Sequence, residues 1–455
     1  MVDRDDERRR LVDAADNPPQ LVVLRGRRRI GKSFLIDRAL TGRRMVSFQA
    51  DEQPERGHLD VLAREAARLL PGSPPLAFSD WDAALTFFGT QAEQHPLIVV
   101  FDEFQWLAQA QPALPSIVQR HWDRWQRAGV PVTLILSGSA LTLMDQLLAH
   151  GSPLFGRADY RPLIGPLDYR DAASFAREGS TAEALLRRYA VLGGTPQYQV
   201  WAGAGPLPTV IRDRILRKGE SLYEEPLHLL REEQKIRDPG TYFAVLAAVA
   251  AGATQFNEIQ QQAGIAKNLD LMLARLDELG YITRRQALEP TAKRPRGSYR
   301  IADPFFRFWF RYVFPNRSRL ERGRTNDVNG ELDTDLDTFM GLAFEDCCRE
   351  WLGRYAPADA HPNSEHLGSW WSRDGQVEID VVGTTKNHYD LLASCKWSRT
   401  AKPSVLGELL AARDHLGGRA THARLIIFAR GFDQRLIEQA ALEEVTLIPA
   451  HQLFA

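Results

Sequence analysis

No run of about 18 apolar residues occurs anywhere in the 455-residue chain, so no membrane-spanning helix and no membrane partner are expected. The first residues, Met1-Val2-Asp3-Arg4-Asp5-Asp6, are highly charged and lack the apolar core of a secretory signal. Cysteine is scarce: Cys347, Cys348 and Cys395 are the three in the chain. Two adjacent thiols and a distant third fit neither a disulfide framework nor a zinc-ligand spacing. They read as buried free thiols of a cytoplasmic protein. Excess charge is also missing, with 57 basic residues against 58 acidic ones. Bulk charge therefore points to no nucleic-acid partner, and any such partner must be met by a local patch. Lysine is rare, because most of the basic residues are arginine. Arginine forks pair with carboxylates, whereas lysine is a compact point charge. A lysine kept against this background points to chemistry that arginine cannot supply.

The length suggests about three domains, and a composition of 44% hydrophobic and 9% aromatic residues is that of a globular chain. Leu21-Val22-Val23-Leu24, Met45-Val46-Ser47-Phe48, Leu97-Ile98-Val99-Val100-Phe101 and Val132-Thr133-Leu134-Ile135-Leu136 are near-continuous apolar runs. Such runs suit parallel strands buried on both faces. Helical patterns at 59–70 and 81–91 lie between them, so an α/β doubly wound sheet is expected over 1–167. Helical patterns dominate 168–232, read as a helical lid with a turn at Gly193-Gly194-Thr195-Pro196. Residues 233–303 show three helices and then two short strands around a Pro- and Arg-rich loop, a winged-helix layout. Residues 304–335 read as an aromatic run followed by a charged linker. Residues 336–455 return to α/β, with a helix at 338–352, strands at 377–382, 391–394 and 423–428, and a helix at 405–416.

Gly26-Arg27-Arg28-Arg29-Ile30-Gly31-Lys32-Ser33 matches the phosphate-binding pattern G-x-x-x-x-G-K-[ST]. Glycines let the backbone wrap phosphates, with N–H groups pointing inward at a helix N-terminus. Lys32 is expected to reach the β- and γ-phosphates of ATP, and Ser33 to bind Mg²⁺. The strand 97–101 ends in Asp102-Glu103, at the sheet edge where ligands bind. Asp102 is expected in the Mg²⁺ shell, and Glu103 as the residue that orients or deprotonates water. The strand 132–136 runs into Ser137-Gly138-Ser139, where a hydroxyl can sense the γ-phosphate; Ser137 is favoured, with Ser139 next. Arg157 and Arg161 are candidates for an arginine that stabilises transition-state charge, and Arg157 is taken forward.

Together, Asp102-Glu103, Leu136-Ser137-Gly138-Ser139, Pro153-Leu154-Phe155-Gly156-Arg157 and Gly193-Gly194-Thr195-Pro196-Gln197-Tyr198 resemble the archaeal-type ATPases, on the STAND-like side of the AAA+ P-loop class. Val2-Asp3-Arg4-Asp5 resembles the remnant of a Phe-Val-x-Arg-Glu-like segment with which members often begin. The resemblance covers nearly the whole chain. It implies a winged helix and then a restriction-endonuclease-like α/β domain, and Ile301-Ala302-Asp303-Pro304-Phe305-Phe306-Arg307-Phe308-Trp309 is similar to the segment that joins them. In the last domain, Glu345, Asp380 and Lys396 follow the order of the endonuclease-like core. Where the family has Glu-Cys-Lys-Trp, this chain has Ser394-Cys395-Lys396-Trp397. One metal-binding carboxylate is gone, so cleavage is expected to be lost.

DNA contact is expected from Lys267, Asn268 and Arg275 on the third helix of the winged-helix layout and from Lys293, Arg294 and Arg296 in its wing. Asp270, Asp277 and Glu278 on the same helix argue instead for packing or relay. The leading expectation is an ATPase that acts as a nucleotide switch or motor. The rivals are an ATP-regulated DNA-binding protein and an ATP-dependent nuclease. A protein partner and an oligomer both fit the pattern, and the sequence names neither.

Overall fold

The computed structural model describes residues 3–69, 75–233, 236, 238–289, 297–357 and 364–455. The chain divides into two compact units. The first is Met1–Pro166 with Thr195–Gln197, and the second is Leu167–Gly194 with Tyr198–Ala455.

Four parallel strands organise the first unit: β1 (Gln20–Arg25), β2 (Met45–Gln49), β3 (Leu97–Asp102) and β4 (Val132–Gly138). Their order across the sheet is β1-β4-β3-β2. β3 and β4 are buried along their whole length, which matches their unbroken apolar runs; the edge strand β2 alternates buried and exposed. Side-chain alternation along β1 feeds two cores. Leu21 and Val23 join the large aromatic core with Phe48, Trp81, Phe88 and Trp122. Val22 and Leu24 join a smaller core with Ile30, Leu35, Ile36 and Ile135 on the opposite face. Helices separate the strands, among them Lys32–Ala39, Trp81–Gln94, Phe104–Ala110 and Leu114–Ala128. With β4 between them, β1 and β3 aim their C-terminal ends at the same edge.

The second unit starts with helices that include Tyr169–Ala173, Ala182–Leu192 and Ser221–Glu232. Three helices follow, Pro239–Ala250, Phe256–Ala263 and Leu269–Glu278. An antiparallel pair comes next, β5 (Ile282–Gln286) and β6 (Gly297–Ile301). Five strands form the C-terminal mixed sheet: β7 (His366–Trp371), β8 (Glu378–Thr385), β9 (His388–Lys396), β10 (Arg424–Ala429) and β11 (Thr446–Pro449). Their order is β11-β10-β9-β8-β7. One core runs through this unit, from Tyr169 and Leu186 through Phe243, Leu273, Phe306 and Trp309 to Phe344, Val381 and Phe428.

Residues 304–335, expected to be a linker, are largely helical and partly core. Pro304–Phe308 is a helix, with Phe305, Phe306, Phe308, Trp309 and Phe310 buried there and just beyond it. The helix expected from 338 instead runs unbroken over Thr325–Arg354. Val328, Leu332, Leu336, Phe339, Met340 and Ala343 are buried along it. Spacings of three and four place them on one stripe, and the charged residues between them occupy the other faces. All three cysteines are buried free thiols. No helix of the described residues is long and apolar enough to cross a membrane.

Candidate functional site

β1 carries the chain into the loop 26–31, and two glycines set the loop's path. Gly31 has φ +90°, a left-handed conformation that a Cβ disfavours. A Cβ on Gly26 would lie 2.7 Å from the Ile164 carbonyl oxygen. Ile30, only 4% exposed, pins the loop to the smaller core. The helix Lys32–Ala39 starts directly after it, so its free N–H groups open into the loop. Arg29 also takes a positive φ of 70°, and its carbonyl accepts the Gln197 N–H at 3.4 Å.

Lys32 is 5% exposed, and its Nζ donates to the Gly26 carbonyl at 2.9 Å and the Arg27 carbonyl at 3.3 Å. Burial pulls this ammonium below the usual lysine range, while Glu103 and Asp102 oppose the shift. Ser33 Oγ donates to Asp102 Oδ2 at 2.5 Å, although the two residues are 69 positions apart. Asp102 Oδ1 accepts the Glu103 N–H at 3.0 Å. A hydroxyl and a carboxylate in contact are hard oxygen donors, the set that suits Mg²⁺. The loop, with a buried ammonium beneath it and open amides at its end, suits a chain of phosphates.

Glu103 stands at φ +55°, between the end of β3 and the start of the helix Phe104–Ala110. Its Oε2 accepts from Ser139 Oγ at 2.6 Å, from the Ser139 N–H at 3.3 Å, and from Gln105 Nε2. Ser139, the second choice from sequence, is therefore the hydroxyl that meets Glu103. Ser137 is fully buried opposite Leu24 of β1, and its Oγ has no hydrogen-bond partner among the described residues. Arg157 is held in a two-pronged pair with Asp123, at 2.7 Å and 3.0 Å. That pairing raises the Arg157 guanidinium and lowers the Asp123 carboxyl. The structure thus brings Lys32, Ser33, Asp102, Glu103 and Ser139 to one place and ties Arg157 to the helix Leu114–Ala128. Arg161 is exposed. Gln105 escaped the sequence reading; its position two residues after the acidic pair, on the first turn of the next helix, was the available signal.

The second cluster lies in the C-terminal unit. Asp380 of β8 is 8% exposed, and its Oδ2 accepts the Cys395 N–H at 2.6 Å and Ser394 Oγ at 3.3 Å. Lys396 Nζ is 3.6 Å from the same oxygen. Burial pulls the Lys396 ammonium down, but Asp380 and Glu408 outweigh it and leave it above its usual value. Glu345 is half-buried, with its Oε2 sealed and unpartnered among the described residues. Burial, reinforced by Asp380, pushes its carboxyl up to about 8. Arginines crowd the same place. Arg285 and Arg349 both donate to Ser369 Oγ, and Arg300 donates to Asp346 at 2.7 Å. Glu378 is exposed at the start of β8. Among the described residues, no group of three or more His, Cys, Asp or Glu is placed to hold a metal ion. Lys267 and Asn268 are exposed just before the third helix of the preceding segment, Asp270 and Asp277 are exposed on it, and Arg275 pairs with Glu278 at 3.0 Å. Lys293, Arg294 and Arg296 lie outside the described residues.

A phosphate loop at the head of one helix, with an acidic pair two strands away across a parallel sheet, is the mark of a Walker-type P-loop ATPase fold. Within that class, the chain belongs to the same family as an archaeal protein. It is 30% identical over 403 residues, 87% of each chain, to a Methanocaldococcus jannaschii protein named "Uncharacterized protein MJECL04". Residues 309–406 match the DUF234 family, described as "Archaea bacterial proteins of unknown function". Among solved structures, the chain is similar to a Walker-type ATPase of Pyrococcus abyssi, with 22% identity and a TM-score of 0.48 over 68% of this chain and 96% of that one. It is also similar to the Aeropyrum pernix ORC2 protein, with 14% identity and a TM-score of 0.44 over 73% of this chain and 96% of that one.

Proposed function

We propose that the first unit binds ATP with Mg²⁺ and hydrolyses it, and that the nucleotide state acts on the second unit as a switch or motor. One observation carries this reading: Ser33 Oγ meets Asp102 Oδ2 at 2.5 Å, directly beside the buried Lys32. Lys32 would pair with the β- and γ-phosphates, and the backbone N–H groups of residues 26–33 would cradle them. Ser33 and Asp102 would hold Mg²⁺, which when bound neutralises charge on the phosphates. Glu103 would orient the attacking water and take its proton as the bond to the ADP oxygen breaks. The test is nucleotide affinity and Mg²⁺-dependent phosphate release in purified protein. Lys32→Ala should lose ATP binding, whereas Glu103→Gln should keep it and lose about 10²–10⁴-fold in turnover. A folded Lys32→Ala protein with wild-type affinity and turnover would refute the assignment.

Residues 233–303 are assigned here as a winged helix, and residues 336–455 as a restriction-endonuclease-like domain that has lost cleavage. The loss is supported by the donors around Asp380: Ser394 supplies only a neutral hydroxyl, and Asp380 is already taken up by Cys395, Ser394 and Lys396. DNA is a second reading for this unit, favoured by exposed Lys267 and Asn268 at the head of the third helix. If Lys267 touches phosphate, Lys267→Ala should lower the salt slope of DNA binding by about one unit.

A further inference from the structure

We infer that Gln105 is a positioning residue for hydrolysis: with Ser139 it holds one oxygen of Glu103, so that the other faces the attacking water. The inference rests on the ATPase reading above and adds to it a residue outside both nucleotide motifs.

Gln105 sits on the first turn of the helix Phe104–Ala110 and is 4% exposed. Its Nε2 donates to Glu103 Oε2 and to Ser139 Oγ, the latter at 3.2 Å. Ser139 in turn donates to Glu103 Oε2 through its hydroxyl at 2.6 Å and its backbone N–H at 3.3 Å. Among the described residues, every hydrogen bond to this carboxylate lands on Oε2. A carboxylate held by one oxygen has a fixed plane, which fixes where the lone pairs of the other oxygen point. A base must be held in place before it can take a proton efficiently.

The other end of Gln105 shows what the amide is for. Its Oε1 is sealed from solvent and has no hydrogen-bond partner among the described residues. A buried amide with one end unsatisfied is a poor device for stability, because the orphaned acceptor is desolvated without return. The chain also makes room for it: a Cβ on Gly138 would lie 2.7 Å from Gln105 Oε1 and 2.4 Å from Met144 Sδ. A glycine at the end of β4 lets the amide lie flat against the strand that delivers Ser139. Glu103 itself stands at φ +55° between β3 and the new helix, with its carboxylate bonded to Ser139 just past the end of β4.

The test compares Gln105→Leu, which keeps the volume and removes the donor, with wild type, Glu103→Gln and the double variant. In Gln105→Leu, ATP affinity by calorimetry should stay within about three-fold, while kcat falls by about 10–100-fold. The double variant should turn over no more slowly than Glu103→Gln alone, since Gln105 acts through Glu103. A second readout needs no nucleotide. In protein labelled with ¹⁵N-glutamine, the Gln105 side-chain amide signal should move in Glu103→Ala. If Gln105→Leu does not fold, Gln105→Met removes the donor while keeping the length and adding no charge, and it should show the same split between affinity and turnover. Wild-type turnover in either folded variant, additive losses in the double variant, or an unmoved amide signal would overturn the inference while leaving the ATPase reading intact. A wild-type protein without Mg²⁺-dependent ATP turnover would overturn both.

Discussion

Glu345 sits on the helix Thr325–Arg354 with one carboxyl oxygen sealed and unpartnered. Burial, and then the nearby Asp380, raises its pKa from an ordinary 4.5 to about 8. Between those values the folded chain keeps a proton that the unfolded chain has released, so stability falls as pH rises through this window. Glu345→Gln keeps the shape and never ionises. It should melt like wild type near pH 5 and be more stable near pH 8, by an amount on the order of 1–3 kcal/mol. Scanning calorimetry at both pH values checks this, and equal melting at both would show that Glu345 is ionised in the folded protein. At this scale the sequence speaks clearly where function is local. Lys32 and Ser33 share a contiguous motif, and Asp102 and Glu103 end a conspicuous apolar strand. The partners of those residues are less legible. Ser139 meets Glu103 only because β3 and β4 are adjacent, and Asp123 meets Arg157 across 34 positions of sequence. No local pattern announces either contact.

Strands buried on both faces are the elements most visible in the sequence, because β1, β3 and β4 each show an unbroken apolar run. β7 and β11 show none. β7 is interrupted by a register shift between Gly368 and Trp370, and β11 spans four residues ending at Pro449. The start of the helix Thr325–Arg354 is hard to see in the sequence because its first half is mostly polar, and its buried stripe begins with the widely spaced Val328 and Leu332. Turns, by contrast, were marked by glycine, and Gly194 shows why one of them tolerates nothing larger. A Cβ there would lie 1.8 Å from the Leu167 carbonyl oxygen, whose neighbour Leu167 N–H donates to the Gly194 carbonyl at 2.8 Å. Backbone cannot give way as a flexible side chain can. Gly194→Ala should therefore destabilise the protein by about 2–3 kcal/mol, read as a lower melting temperature. An unchanged melting temperature would show that this backbone pair can separate.

For the molecule as a whole, the C-terminal cluster predicts inactivity as a nuclease. Supercoiled DNA incubated with the protein, ATP and Mg²⁺ or Mn²⁺ should stay intact, because Ser394 offers only a neutral hydroxyl beside Asp380 and the Glu345 carboxyl is pushed up to about 8. Nicking that disappears in Asp380→Ala and Lys396→Ala would show the cluster to be live. Cleavage switched on by Ser394→Glu would identify the missing charge as the cause. The unbroken helix Thr325–Arg354 has a consequence for how such proteins can be taken apart, in the laboratory or by recombination. Thirty residues make a rod of roughly 45 Å, and this one is buried along a single stripe from Val328 to Leu352. A cut at residue 335 would leave Val328 and Leu332 on one fragment and Leu336 and Phe339 on the other, each with half an apolar stripe facing water. The C-terminal mixed sheet is thus no detachable cassette. It can be inherited, expressed or exchanged only together with the aromatic segment that precedes it, and a graft that respects motif boundaries alone should yield insoluble protein.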